Sequence, residues 1–136
     1  MLVVDTSVAL KWFLAEEGTE EAAALLDGSR RLVAPDLIIA ETVNVGWRIV
    51  RAGMMTADQL QQMALTLPRH IVELVALSPL APRAATIAGE LNHPAYDCFF
   101  VALAEQRSAR LVTADRRLFR RVQGTPWQPL IVPLTG

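Results

Sequence analysis

Four acidic residues of this sequence occupy positions where a carboxylate is costly unless it has a chemical role. Asp5 ends the first apolar run of the chain and is followed at once by two hydroxyl residues. Asp115 ends a later apolar run, two residues after Thr113. Glu41 and Asp97 lie in segments that are otherwise largely apolar. Because an unpartnered buried carboxylate costs free energy, these four positions are candidates for chemistry.

The chemistry that four converging carboxylates favour is metal-assisted hydrolysis. Like charges brought close together raise one another's pKa, so such a cluster takes up protons unless a cation holds it. Oxygen ligands without His or Cys select a hard divalent ion, Mg²⁺ or Mn²⁺, rather than zinc. Such ions polarise phosphoryl oxygens and activate water, and a pair of them sits roughly 3.5–4 Å apart in two-metal sites. The residue types therefore indicate phosphoester hydrolysis.

An alternation of short apolar strands with longer helices would position these acids. The sequence predicts strands over 2–5, 31–35, 70–77, 110–115 and 129–134. It predicts helices over 7–16, 19–28, 35–53, 56–68, 82–91, 95–107 and 116–122. This βα order predicts a parallel sheet with helices on both faces, in a single domain over 1–136.

Capping signals mark several helix ends in this scheme. Thr19 is a candidate cap of the second helix, and Asp36 is the candidate N-cap of the third, which Gly53 would end in a left-handed conformation. Thr56 and Gln59 have the spacing of a capping box. For Asp115 the alternative to a chemical role is likewise that of a helix N-cap.

The predicted topology brings the acids toward one edge of the sheet. Asp5 and Asp115 leave the carboxyl ends of neighbouring strands, where ligands bind in open α/β folds. Glu41 shares one face of its helix with Asn44 and Arg48 at i+3 and i+7, a polar stripe on an otherwise apolar helix. Asp97 lies in the first turn of its helix, where the helix dipole favours an anion.

Composition excludes several other classes of protein. No apolar run reaches the roughly 18 residues of a membrane span, and the N-terminus lacks the pattern of a signal peptide, so we expect a cytoplasmic protein without membrane contact. The single cysteine, Cys98, is expected to be a small buried side chain. The formal net charge of −1 argues against an overall basic surface, although it leaves room for local phosphate-binding patches.

The segments "VVDTSV", "APDLIIAETVNVGWR", "AYDCFFVALAEQ" and "LVTADRRL" resemble, in this order, the motifs of the PIN-domain ribonucleases, and in particular of the VapC-type toxins of toxin–antitoxin pairs. The resemblance covers nearly the whole chain. It implies a three-layer α/β/α fold with a central parallel sheet of about five strands. Cys98 and the two phenylalanines after it depart from the residues common in the family, which bears on packing more than on chemistry.

The resemblance also assigns roles to individual residues. It implies an Mg²⁺- or Mn²⁺-dependent endoribonuclease in which four acids bind the metal, namely Asp5, Glu41, Asp97 and Asp115. Asp5 and Asp97 would be the principal ligands, Glu41 a ligand or the base for water, and Asp115 a ligand directly or through water. Three polar neighbours would orient these groups, namely Ser7, Asn44 and Thr113. The expected partners are an RNA substrate, a cognate antitoxin whose segment lies across the active site, and a second copy in a homodimer.

Positive side chains should flank a site that receives RNA phosphates. Arg116 and Arg117 follow Asp115 directly, Arg120 and Arg121 come one turn later, and Arg48 follows Glu41; arginine grips phosphate with two hydrogen bonds. The alternative is a solvated helix face. For His70 and His93 the sequence shows no ligand spacing, so a surface or turn position is expected.

Three rival classes share some of these features. A phosphotransferase of the haloacid dehalogenase kind needs a second Asp where this chain has Ser7. A receiver-like domain wants an acid pair after its first strand and a late lysine, whereas Lys11 is the only lysine. A catalytically idle PIN-fold module that binds RNA or protein remains the alternative, and the complete set of four acids argues against it.

Overall fold

A five-stranded parallel sheet forms the centre of the computed structural model, which describes residues 1–135. The strands are β1 (Leu2–Val4), β2 (Leu32–Pro35), β3 (Glu73–Val75), β4 (Arg110–Thr113) and β5 (Ile131–Pro133). Their order across the sheet is β3-β2-β1-β4-β5, and every neighbouring pair is parallel. β1 and β4 are therefore adjacent, as the sequence predicts for the strands that precede Asp5 and Asp115.

Helices cover both faces of this sheet, which gives the predicted three-layer α/β/α fold. They are α1 (Thr6–Leu10), α2 (Thr19–Ala24), α3 (Leu37–Arg51), α4 (Ala57–Thr66), α5 (Ala81–Leu91), α6 (Ala95–Arg107) and α7 (Arg116–Arg121), with 3₁₀ turns at Leu67–His70 and Gln128–Leu130. α6 packs across β1, β2 and β4 and supports α5, while α3 packs against α1 and α4. Within residues 1–135, no helix has the length and apolar character needed to cross a membrane.

The largest part of the core lies between the sheet and α6. The strands themselves are apolar, because parallel strands with helices on both faces are buried on both sides. Val3 and Val4 in β1 and Leu111 in β4 are fully buried. α6 is apolar nearly all round its circumference, and its Phe100 is among the largest fully buried side chains. Cys98 is buried as predicted, and burial raises the pKa of its thiol to about 11, so it is a packing residue.

The two N-terminal helices are shorter than predicted. The helix expected over 7–16 ends at Leu10, because the chain turns there and the Trp12 indole donates a hydrogen bond to the Ala22 carbonyl. The helix expected over 19–28 ends at Ala24. Its N-cap is Gly18 rather than Thr19, whose hydroxyl donates instead to the Leu14 carbonyl. Contacts of the loop between α1 and α2 therefore override the helical pattern of the sequence.

The predicted caps of the next two helices have different outcomes. The capping box of α4 is confirmed: the Thr56 hydroxyl accepts from the Gln59 backbone N–H, and the Gln59 side chain accepts from Thr56 N–H. Gly53 follows α3 with a positive φ of 79°, also as predicted. Asp36 occupies the N-cap position of α3, as predicted, but its side chain makes no capping bond, and its backbone N–H donates to the Val75 carbonyl of β3.

Gly46 is the point of closest approach between α3 and α4. A Cβ at this position would overlap the Met63 Cε and Leu60 Cδ1 atoms, and Met63 is buried. We expect Gly46→Leu to lower the free energy of unfolding by about 1–3 kcal/mol, because overfilling a packed contact forces strain. Urea denaturation measures this. The control is Gly89→Leu on α5, where no atom lies within 4 Å of the added Cβ, so this variant should lose no free energy of unfolding. An equal loss of stability in the two variants would contradict the expectation.

Candidate active site at the carboxyl edge of the sheet

Asp5 lies at the carboxyl end of β1 and is the most buried of the four acids, with 6% of its surface exposed. It is the N-cap of α1, because its Oδ1 accepts a hydrogen bond from Val8 N–H at 3.2 Å. Burial raises the pKa of this carboxyl to about 6, and the charge of Asp97 adds to the rise. Asp5 is thus a carboxylate held in an environment that favours its neutral form.

Two hydroxyls fix both oxygens of Asp5. Ser7 Oγ donates to Oδ1 and Thr113 Oγ1 donates to Oδ2. Each hydroxyl oxygen in turn accepts from a backbone N–H of the loop after β4: Ser7 from Ala114 at 2.9 Å, and Thr113 from Asp115 at 3.0 Å. Each hydroxyl has a single proton and donates it to the carboxylate. Asp5 therefore accepts a hydroxyl hydrogen bond on each of its two oxygens.

Glu41 projects from the second turn of α3 and is half-buried. The hydroxyl of Thr6, the residue after Asp5, donates to Glu41 Oε1 at 2.7 Å. Burial raises the pKa of Glu41, and repulsion by Asp97 contributes to the rise. Asp97 thus repels the carboxylates of both Asp5 and Glu41, which places the three acids around one site.

Asp97 is paired with a histidine that the sequence did not single out for this site. The His93 Nε2 atom lies 2.6 Å from Asp97 Oδ2, and the His93 side chain is 6% exposed. The expectation of a surface or turn position for His93 is therefore wrong for its side chain. The i to i+4 spacing across the start of α6 was the signal that could have found this pair. His70 is half-buried, and its ring packs edge-on against Trp12 with 5.4 Å between the ring centroids.

Asp115 has the helix-capping role that the sequence left open. Its Oδ1 accepts from the backbone N–H groups of Arg117 at 2.9 Å and Leu118 at 3.4 Å, so it caps α7. Its own N–H donates to Thr113, which links the start of α7 to the carboxylate of Asp5. Asp115 therefore joins the site through Thr113 and not through direct contact with another acid.

The donor set fits a hard divalent cation in chemistry. All the candidate ligand atoms are carboxylate oxygens, and the repulsion of Asp5 and of Glu41 by Asp97 is the condition that a bound cation relieves. As the side chains stand in residues 1–135, no three Asp, Glu, His or Cys groups lie close enough together to enclose a metal ion. The carboxylates of Glu41 and Asp97, which are only part-buried, would have to move toward Asp5 to share one.

The polar stripe on α3 faces a groove beside these acids. Glu41, Asn44 and Arg48 line a cavity of about 400 Å³ together with Thr6 and the exposed Tyr96. In residues 1–135 the Asn44 side chain makes no hydrogen bond, so the structure places it beside Glu41 without tying it to an acid. Thr6 and Tyr96 are site residues that sequence reasoning missed; the position of Thr6 directly after Asp5 was the signal that could have found it.

The structure places the predicted RNA-binding arginines in two regions. Arg48 lines the groove of Glu41. Arg116 is highly exposed, and it lines a cavity with Asp115 and Arg120. Arg117 lines a cavity of about 320 Å³ that also contains Arg120. Arg116 and Arg117 thus line cavities that share Arg120, and Arg48 lines a different groove.

The fold and the site define a class of protein, namely a parallel α/β/α domain with acids at the carboxyl ends of its central strands. Residues 2–124 match the family model described as PIN domain, and the chain belongs to the PIN-domain family. A protein named ribonuclease VapC3 from Pyrobaculum aerophilum is 31% identical over 119 residues, which cover 86% of this chain and 91% of the relative. Ribonuclease VapC9 from Mycobacterium tuberculosis is 33% identical over 118 residues, covering 87% and 88%.

Solved structures agree in fold. A toxin–antitoxin complex from Klebsiella pneumoniae contains a chain that matches this one with a TM-score of 0.67 and 18% identity, over 98% of both chains. The VapBC2 complex from Rickettsia felis, solved with a promoter DNA fragment, matches with a TM-score of 0.66 and 13% identity over 97% of both chains. At these identities the likeness establishes the architecture.

Proposed function

We propose that this protein is an endoribonuclease that hydrolyses RNA phosphodiester bonds with Mg²⁺ or Mn²⁺, and that it is the toxin of a toxin–antitoxin pair. The observation that carries the proposal is Asp5, a buried acid whose oxygens both accept hydrogen bonds and which, like Glu41, is repelled by the charge of Asp97. The relatives named as ribonucleases, which align over most of the chain, support the choice of RNA.

In this proposal Asp5 and Asp97 are the principal metal ligands, Glu41 is a ligand or the base for the attacking water, and Asp115 acts through water. A bound divalent ion supplies polarisation of the phosphoryl oxygen and a water of lowered pKa. Attack by water rather than by the ribose 2′-hydroxyl leaves a 5′-phosphate and a 3′-hydroxyl. This chemistry favours a phosphodiester substrate, and the relatives named as ribonucleases favour RNA among the phosphodiesters.

The chain's own hydroxyls prepare the site for this work. Ser7 and Thr113 hold the carboxylate of Asp5 in one orientation, since their oxygens are fixed by backbone N–H groups. Thr6 donates to Glu41 in the position from which that carboxylate would move toward a cation. Asp5 is therefore the preorganised ligand, and such a ligand loses little further freedom when a cation arrives, which favours binding of the cation.

The proposed partners come from the relatives. The structural neighbours include complexes described as toxin–antitoxin pairs, which supports a cognate antitoxin for this chain. We also propose a homodimer and a cytoplasmic location, as expected for a toxin of this type. An idle binding module is the alternative function; the complete set of four acids argues against it.

We expect purified protein, freed of any partner, to cut total cellular RNA in Mg²⁺ or Mn²⁺ and to be inactive in chelator. Separation of the products on a denaturing gel, with mapping of the fragment ends, measures both the activity and the 5′-phosphate. Fragments that persist unchanged in chelator would contradict metal dependence. A folded protein without cleavage in either metal would favour the idle module.

A further inference from the structure

The short helix α7 presents three arginines on one side. Arg117, Arg120 and Arg121 are spaced at i, i+3 and i+4, which places their side chains on the same face of a helix. Together with His93 they line a cavity of about 320 Å³. The lining therefore consists entirely of basic side chains.

The charges of these arginines are not neutralised inside the protein. Across residues 1–135, no carboxylate lies within 4 Å of the guanidinium of Arg117, Arg120 or Arg121. Arg83 and Arg107, by contrast, each make two hydrogen bonds to a glutamate. Three exposed guanidinium groups in one cavity leave a site of positive potential for an anion.

Two side chains connect the cavity to the acid site. His93 lines the cavity and also contacts Asp97, with 2.6 Å between His93 Nε2 and Asp97 Oδ2. Arg120 lines the cavity and also lines a second one with Thr113 and Asp115. The start of α7 is held at the same edge of the sheet, because Asp115 caps the helix and is bonded through Thr113 to Asp5. The helix that carries the arginines is thus anchored next to the carboxylates.

We propose that Arg117, Arg120 and Arg121 form a phosphate-binding subsite that holds the RNA strand one or more phosphates away from the bond to be cleaved. Guanidinium groups bind phosphate with paired hydrogen bonds, and three of them match a polyanionic backbone. Contacts of this kind set the register of the strand but read no base sequence. The inference rests on the proposed ribonuclease function, and it adds the surface along which the bound RNA strand continues beyond the acids.

The test measures RNA binding without cleavage, in an Asp5→Asn background. Fluorescence anisotropy with a short labelled single-stranded RNA of mixed sequence compares this protein with its Arg117→Ala, Arg120→Ala, Arg121→Ala derivative between about 50 and 200 mM salt. We expect the derivative to bind about 10-fold more weakly or worse at low salt, and the slope of log K against log salt to fall by about 1–2, since each lost phosphate contact removes roughly 0.7.

A matched control removes the same charge from the opposite edge of the sheet. Arg30 and Arg69 precede β2 and β3, and Arg110 is the first residue of β4. All three are exposed at the amino ends of the strands, so their replacement by Ala should leave the salt slope unchanged. Lysine at the three α7 positions should restore most of the slope but not the full affinity, because lysine keeps the charge and loses the paired bonds. That rescue shows that the alanine derivative fails by chemistry and not by misfolding.

Three outcomes would overturn the subsite. In the first, the alanine derivative and the control have equal RNA affinities and salt slopes. In the second, the Asp5→Asn protein binds no RNA at low salt. The third needs a second labelled probe, the acidic peptide hexaglutamate: if the alanine derivative loses binding of this peptide and keeps its RNA binding, the surface belongs to an acidic protein partner. If the arginines govern RNA binding but wild-type protein cuts no RNA in either metal, the subsite stands and the proposed activity fails.

Discussion

Asp5→Asn is expected to lower RNA cleavage by about 10³-fold, a loss equal to roughly 4 kcal/mol of transition-state stabilisation. Asp5 is the buried acid to which both hydroxyls of the site donate, so its charge is the centre of the arrangement. Asn has the same shape but no charge, and it cannot replace a carboxylate ligand of a hard cation. Cleavage rates of total RNA at saturating Mn²⁺ measure the loss. A variant with more than a tenth of the wild-type rate would contradict the assignment.

The same substitution is expected to stabilise the metal-free protein. Burial raises the folded-state pKa of Asp5 from 3.8 to about 6, which means that the folded protein disfavours the ionised form. Removing that charge should raise the free energy of unfolding by about 2–3 kcal/mol at neutral pH. The Asn side chain can still accept from Val8 N–H through its oxygen, and the Thr113 hydroxyl can rotate to accept from its amide.

The sign of the pH dependence follows from the direction of this shift. The stability gained by Asp5→Asn is fully present above pH 6, where folded wild-type protein carries the charge, and it is lost as the pH falls from 6 to 3.8. Below 3.8, Asp5 is protonated in both the folded and the unfolded state. Urea denaturation of both proteins in chelator, across this range, measures the difference. A variant that is less stable than wild type at pH 8 would contradict the prediction.

Glu41→Gln is expected to lower cleavage by about 10²-fold or more, the usual contribution of a base or of one charge at a catalytic site. The fold should be unaffected, because the Gln oxygen can still accept the hydrogen bond from the Thr6 hydroxyl. The matched control is Glu90→Gln, an exposed position near the end of α5. Steady-state rates at increasing Mn²⁺ measure the effect.

The metal dependence of that variant separates the two roles proposed for Glu41. If Glu41 is a ligand, the variant needs more Mn²⁺ for half-maximal rate and recovers at high concentration. If Glu41 is the base, the metal requirement is unchanged and the rate stays low at every concentration. A variant that cuts at the wild-type rate in low Mn²⁺ would remove Glu41 from the site.

Local features of the chain were predictable because they depend on residues close in sequence. The order of strands and helices followed from apolar periodicity, and the capping box of Thr56 and Gln59 involves a single turn. Asp36 shows the limit of such reasoning, since its backbone N–H is taken by Val75 of a distant strand and its side chain caps nothing. The early end of α1 has the same cause, a contact between Trp12 and Ala22.

By itself, the sequence determined the parallel α/β/α architecture and the four acids worth testing, because strand alternation and isolated carboxylates in apolar segments are local patterns. Only the tertiary structure decided which groups meet: Thr6 with Glu41, His93 with Asp97, Thr113 with Asp5, and the arginines of α7 in a cavity apart from Arg48. These distances depend on how strands pair and helices pack across the whole chain. Burial, and with it the raised pKa of Asp5, is likewise a property of the assembled core.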